Sequence, residues 1–215
     1  LFYKRFRSLP HIIQKHYAIK KANFIICISE STKKDLMYYH PSLNEENIFV
    51  THLAAGSEFF SMNISFEDRI KHPYVLYVGS RRGYKNFSSA VHALRKISDL
   101  KLVIIGGGKL NTEEDKLLEN SLKNRYEHLN NINSNQLNKL YNSAIALIYP
   151  SLYEGFGIPI IEANKSNCPV ICGKNSSITE VAGNSNVLLE DCNVESISDS
   201  IANLFDKYFF EESCK

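Results

Sequence analysis

Two glutamates eight positions apart, Glu154 and Glu162, bracket the run Gly155-Phe156-Gly157-Ile158-Pro159-Ile160-Ile161. Glycines at alternate positions let the backbone come close to a ligand. Pro159 suits the first turn of a helix, where its missing N–H costs nothing. The spacing predicts a strand ending at Tyr149, a turn, and a helix opening near Pro159. The free N–H groups and the dipole at such a helix start favour an anion. A carboxylate is a poor phosphate partner but a good acceptor for sugar hydroxyls. An anion site with a carboxylate at each end suits a sugar joined through a diphosphate to a nucleoside.

A second loop supplies the opposite charge. Gly79-Ser80-Arg81-Arg82-Gly83-Tyr84-Lys85-Asn86 follows an apolar run and precedes a helical stretch. Arg grips two phosphate oxygens at once and Lys offers a point charge. Such charge stabilises a diphosphate leaving group as its bond to sugar breaks. The seven His form no metal-ligand spacing with Cys, Asp or Glu, and no Asp-x-Asp pair occurs. No catalytic metal and no cofactor are expected.

These loops need elements to hold them. Short apolar runs alternate with amphipathic stretches: Tyr74–Val78, Leu102–Ile105, Tyr126–Leu129, Ala146–Tyr149, Val170–Cys172 and Val187–Leu189 read as strands. Helices are expected over Asn86–Ile97, Thr112–Leu122, Asn135–Ser143, Ile178–Ala182 and Val194–Tyr208. This alternation predicts an α/β fold, a Rossmann-like parallel sheet with helices on both faces. Such sheets bind ligands beyond the carboxyl ends of their strands, where both loops would lie. Upstream, Phe24–Ile28 and Ile48–Leu53 read as strands, Ser29 caps a helix running to Tyr39, and Ala54–Arg69 reads as an irregular linker. The predicted domains are 1–69, the end of a first domain plus linker, and 70–215.

The 215 residues, 22% of them charged, carry a net charge of +2, too small to indicate nucleic-acid binding. No apolar run is long enough to span a membrane, and no secretory leader pattern is present. Five Cys, an odd number in a long chain, do not read as a disulfide framework. Cys168 and Cys172 read as small apolar side chains of a buried strand. A cytoplasmic, reducing location is expected. From Leu1 to Lys21 the chain has Lys4, Arg5, Arg7, Lys15, Lys20 and Lys21, interleaved with Phe2, Tyr3, Phe6, Ile12, Ile13 and Tyr17. That stretch suits peripheral contact with an anionic membrane face, or packing against a neighbouring domain.

The segment Glu154 to Glu162 resembles the motif of glycosyltransferase family 4, retaining enzymes built from two Rossmann-like domains (the GT-B fold). Further segments extend the likeness: Ile26-Cys27-Ile28-Ser29-Glu30, Tyr77-Val78-Gly79, Ile104-Ile105-Gly106-Gly107-Gly108, Cys168-Pro169-Val170-Ile171, and Ser176 to Gly183. The resemblance implies that residues 70–215 are the C-terminal, nucleotide-sugar-binding half. Residues 1–69 would be the tail of the acceptor-side domain, in a chain that is part of a longer protein. It implies that Glu162 holds the ribose hydroxyls and Glu154 sits by the transferred sugar. The backbone of Gly155, Phe156, Gly157 and Ile158 would face the sugar hydroxyls and the distal phosphate, with Ile132 beside the base. Lys85 and Arg81 would stabilise the diphosphate close to Gly79, with Arg82 the alternative. Ser80 stands where many relatives carry that Arg, and Asn130 where a small residue is usual.

The activity implied is transfer of a hexose, with GDP-mannose the guessed donor, to a polysaccharide or lipid-linked acceptor in bacterial surface-polysaccharide synthesis. Attack would come from the front face, the leaving phosphate taking the acceptor proton. The alternative is a donor-binding module with no activity of its own. A glycoside hydrolase using the two glutamates is disfavoured, because it needs no diphosphate pocket. A nicotinamide-binding domain is disfavoured too, because Gly106 to Gly108 lacks the full glycine spacing.

Overall fold

Near-continuous apolar runs that are too short for helices become strands buried on both faces. In the computed structural model, residues 9–183 and 186–210 are described. They form two compact units, one ending at Leu53 and one starting at Ala54.

The first unit has α1 (Leu9–Lys21), β1 (Ile25–Cys27), α2 (Glu30–Tyr39) and β2 (Ile48–Val50). The strands pair in parallel, Ile26 beside Phe49. Cys27 and Ile48 are buried, whereas Ile26, Phe49 and Phe24 are exposed. Ser29 caps α2 as expected, accepting from the Thr32 N–H at 3.0 Å. Helix α1 carries Lys15, Lys20 and Lys21 with Ile12, Ile13 and Tyr17 exposed. The other half of that basic, aromatic stretch, residues 1–8, lies outside the described residues.

The second unit runs through α3 (Phe66–Lys71), β3 (Tyr74–Val78), α4 (Phe87–Arg95), β4 (Lys101–Ile105), α5 (Thr112–Leu122) and β5 (Tyr126–Leu129). It continues with α6 (Ser134–Ser143), β6 (Ala146–Tyr149), α7 (Ile158–Lys165), β7 (Val170–Gly173), α8 (Ile178–Val181), β8 (Val187–Leu189) and α9 (Val194–Phe210). All six strands are parallel, in the order β5-β4-β3-β6-β7-β8. The expected Rossmann-like parallel sheet is therefore present.

Strand periodicity of two sorts the side chains into two layers. Val75, Tyr77, Leu102, Ile104, Ile148 and Ile171 join α4, α5 and α9 on one face. Leu76, Val103, Ile105, Leu147, Tyr149, Val170 and Cys172 join α6, α7 and α8 on the other. Each fully buried aliphatic side chain contributes about 1.5–3 kcal/mol of transfer free energy. Cys168 and Cys172 are indeed buried and free, and burial pushes the Cys168 thiol up to about 12. No described helix is long and apolar enough to cross a membrane.

The second compact unit starts at Ala54, where the expected linker begins. The supposed linker is packed onto the second unit. Ala55 and Phe59 enter its core, and the Phe59 ring meets Tyr141 edge-on at 6.1 Å. Two buried amides on α6 fasten the backbone. Phe60 N–H donates to Asn138 Oδ1 at 3.2 Å, Met62 N–H to Asn142 Oδ1 at 2.6 Å, and Asn142 Nδ2 to the Phe60 carbonyl at 3.0 Å. Lys165 Nζ donates to the Gly56 carbonyl at 2.8 Å. The attachment joins polar side chains of α6 and α7 to the backbone of an irregular segment, so no hydrophobic period announces it.

Candidate functional site

Strand order creates the site. From β3 the chain steps outward to β4 and β5, then returns to place β6 on the other side of β3. The loops after β3 and β6 consequently diverge, leaving a crevice at their carboxyl ends. The two loops singled out by residue type are these two.

Lys85, in the loop after β3, pairs with Glu154, in the loop after β6. Both side chains are mostly buried, at 15% and 12% exposure, so water screens the pair weakly. The Lys85 ammonium also lies 3.5 Å from the Tyr149 hydroxyl and 5.4 Å from the ring centroids of Tyr84 and Tyr149. Burial first, and then the Glu154 charge, push the Tyr149 hydroxyl far above its ordinary range. Tyr149 thus stays protonated and can donate.

Each loop is braced. The Tyr77 hydroxyl donates to the carbonyls of Ser80 at 3.0 Å and Lys85 at 3.2 Å. Leu152 N–H donates to the Tyr84 carbonyl at 2.9 Å, joining the two loops. The segment after β7 holds the second loop from the far side. Asn175 Nδ2 donates to the Ser151 carbonyl at 3.0 Å, and Ser176 Oγ accepts from Glu154 N–H at 3.0 Å. The buried Ser177 hydroxyl reaches the carbonyls of Glu154 at 2.9 Å and Phe156 at 3.1 Å. Sequence reasoning singled out none of these serines individually; only their place in a resembling segment marked them.

Beyond Glu154 the turn goes as the glycines predicted. Gly157 adopts φ 108° and caps α7, with Pro159 in the first turn. A Cβ at Gly157 would also press on Ile160 at 3.2 Å. Helix α7 begins at Ile158, one residue before the expected start. The Phe156 ring is buried, so only its backbone can face a ligand, while Ile158 is exposed. Ile132, in the loop after β5, is half-buried against the same core layer as Ile160 and Tyr141.

Glu162 lies one turn into α7 and accepts a hydrogen bond from the Tyr141 hydroxyl at 3.1 Å. Burial raises its carboxyl above the usual range, opposed by the Tyr141 bond and reinforced by the charge of Glu58. The folded state therefore holds this proton more tightly than the unfolded chain. The stability it brings is complete below the unfolded value and is lost as pH rises through the raised folded value. Glu162→Gln keeps an acceptor for Tyr141 but cannot ionise. It is expected to unfold at higher urea than the parent at neutral pH, with the gap closing below about pH 4. Superimposable pH profiles of the two proteins would contradict this.

Arg81, expected beside the diphosphate, is bonded to a neighbouring loop. Its side chain is buried, at 9% exposure. Nη1 donates to the Gly106 carbonyl at 2.7 Å, and Nη2 to the carbonyls of Gly108 at 3.0 Å, Lys109 at 3.1 Å and Gly107 at 3.3 Å. Its two terminal nitrogens thus hydrogen-bond the loop after β4. Arg82, the alternative, is exposed. Residue type does not distinguish the two arginines; burial does.

Comparison with known proteins follows the same line. The family model described as Glycosyl transferases group 1 matches residues 63–215. O-antigen chain mannosyltransferase B of Escherichia coli is 25% identical over 199 residues, covering 85% of this chain and 51% of that protein. O-antigen chain mannosyltransferase RfbU of Salmonella typhimurium is 28% identical over 190 residues, covering 87% and 52%. The chain thus spans about half the length of these curated relatives. The crystal structure of WaaG, a glycosyltransferase involved in lipopolysaccharide biosynthesis, superposes with a TM-score of 0.75 at 16% identity, over 92% of this chain and 59% of that one. At that identity the likeness is one of fold.

Proposed function

Because this chain belongs to the group 1 glycosyl transferases, we propose that it carries the donor site of a retaining hexosyltransferase that uses a nucleoside-diphosphate sugar. The Lys85–Glu154 pair at the strand crossover carries this reading, since it sets a cation and a hydroxyl acceptor side by side. In the proposed reaction the bond from the sugar C1 to the diphosphate oxygen breaks, and a bond from C1 to the acceptor oxygen forms on the same face. The acceptor proton passes to the departing phosphate. Lys85 stabilises the charge that builds there, and the backbone from Gly155 to Ile158 hydrogen-bonds the sugar and distal phosphate. Glu154 orients the sugar, Glu162 takes the ribose hydroxyls, and Ile132 flanks the base. Arg81 has no direct part.

A GDP-mannose-like donor and a polysaccharide or lipid-linked acceptor are the finer proposal, supported by the names of the two curated relatives. Action at the inner face of a membrane is supported by the lysines and exposed apolar residues of α1, and cosedimentation with anionic vesicles tests it.

Among the described residues no three His, Cys, Asp or Glu side chains are grouped to hold a metal ion. On the donor-site reading, with Lys85 as the cation, nucleoside diphosphates are expected to stabilise the protein in the presence of a chelator. A ligand at 100 times its dissociation constant adds about 2.7 kcal/mol. A thermal-shift panel of GDP, UDP and ADP measures this. Stabilisation that appears only with Mg²⁺ or Mn²⁺ would refute the metal-independent site, and none with any nucleotide would refute the donor site.

A second reading rests on the chain spanning half of its relatives: it binds donor and transfers nothing by itself. Positioning of the acceptor supplies about 7–11 kcal/mol in such reactions. Labelled donor incubated with lipid-linked and free saccharides separates the two, since product formed by the 215-residue chain excludes the second.

A further inference from the structure

Arg81 is bound up with its neighbours too closely for a surface arginine. Four carbonyl oxygens, those of Gly106, Gly107, Gly108 and Lys109, converge on its two terminal nitrogens at 2.7–3.3 Å. Nε lies 3.1 Å from Glu114 Oε1, an ion-pair distance at an angle too poor for a hydrogen bond. His128 completes the surroundings, its Nε2 lying 3.2 Å from the Gly106 carbonyl and 3.5 Å from Nη1.

Converging carbonyl dipoles repel one another unless a cation sits at their focus. The loop they belong to has three successive residues at positive φ, Gly106 at 79°, Gly107 at 76° and Gly108 at 74°. A Cβ at Gly107 would run into the Arg81 guanidinium and stand 2.9 Å from the Gly79 carbonyl. The loop after β4 is therefore pressed against the loop after β3, and Arg81 is the clamp between them. The Gly79 N–H, donating to the Ile105 carbonyl at 2.9 Å, fixes the common base of both loops. Lys85 rides on the clamped loop, four residues beyond Arg81.

We infer that Arg81 is a positioning residue: by tying the 106–109 loop to the 79–86 loop it sets the place of the Lys85 ammonium in the donor site, without touching the donor. The inference rests on the donor-site reading above. A planar fork can reach four carbonyls at once, whereas a lysine ammonium has three donors and one centre. Arg81→Lys thus keeps the charge and loses the clamp.

The test is hydrogen exchange and GDP and UDP titration on Arg81→Lys and on the parent. Without nucleotide, the variant is expected to exchange the amides of residues 106–110 about 10-fold faster or more, the change that about 1.4 kcal/mol produces. The better-bound nucleotide is expected to weaken by a similar factor. Glu114→Gln, which loosens the ion pair and spares the carbonyl bonds, should shift both readings in the same direction by less, and it serves if Arg81→Lys does not fold. Unchanged exchange without nucleotide, together with weakened binding, would make Arg81 a direct phosphate ligand and overturn the inference. Faster exchange with unchanged affinity would overturn it as well, because the clamp would not reach Lys85. If the parent binds neither nucleotide nor ADP, the donor-site reading itself falls, and this inference with it.

Discussion

Lys85→Ala is expected to weaken nucleoside-diphosphate binding by roughly 10- to 150-fold, the loss of a charge-assisted hydrogen bond worth about 1.5–3 kcal/mol. Two effects add. The cation proposed to face the phosphates disappears, and the Glu154 carboxylate, 12% exposed, loses its partner and would repel the incoming anion. The Tyr149 hydroxyl remains as a neutral donor and replaces none of the charge. Titration calorimetry of the parent and the variant, at two salt concentrations, reads the loss. Glu154→Gln gives a sharper check. In that background Lys85→Ala should cost less, because the stranded carboxylate is gone, and the coupling between the two substitutions should exceed about 0.5 kcal/mol. A loss under about threefold, or strict additivity, would mean that Lys85 only braces the loop.

The two glutamates are expected to separate by ligand. Glu162→Ala removes the acceptor proposed for the nucleoside half, so free nucleotide and nucleotide sugar should both weaken, by about 1.5–3 kcal/mol. Glu154→Ala should leave the free diphosphate unharmed or bound slightly better, since Lys85 is released from its ion pair. It should weaken only the sugar-bearing ligand. Glu162→Gln belongs in the same series, because Glu162→Ala also strands the buried Tyr141 hydroxyl. Equal losses for Glu154→Ala and Glu162→Ala against the free diphosphate would end this division of roles.

Much of the second unit was legible because its physics is local. The strand runs Tyr74–Val78 and Ala146–Tyr149 are apolar throughout, and the structure keeps them with the same ends. The helix over Thr112–Leu122 also matches, announced by Asn111 and Glu114, which form a capping box. The edge strands Tyr126–Leu129 and Val187–Leu189 kept their ends too, whereas the expected Ile48–Leu53 shortens to Ile48–Val50 and Asn86–Ile97 to Phe87–Arg95. Tyr126–Leu129 is only half-buried at the edge of the sheet, so its run was the least apolar of those that formed. The packing of the 54–69 segment onto the second unit was not legible, because buried Asn138 and Asn142 hold it, and a buried asparagine looks like a surface one in sequence.

The sequence by itself determined the alternation of strand and helix, and hence a parallel sheet with its loops at the carboxyl ends. It also determined the turn at Gly155 to Pro159, since glycine tolerates positive φ and proline the first helical turn. Only the tertiary structure decided which loops face each other. That depends on strand order, which puts β6 beside β3 and so brings Lys85 to Glu154 across 69 residues of chain. It alone also set the two arginines apart in burial. Arg81 and Arg82 are adjacent and chemically identical, yet one is buried against four carbonyls while the other is exposed. Residue type specifies what a guanidinium can bind; the packed loop at Gly106 to Lys109 specifies what it does bind.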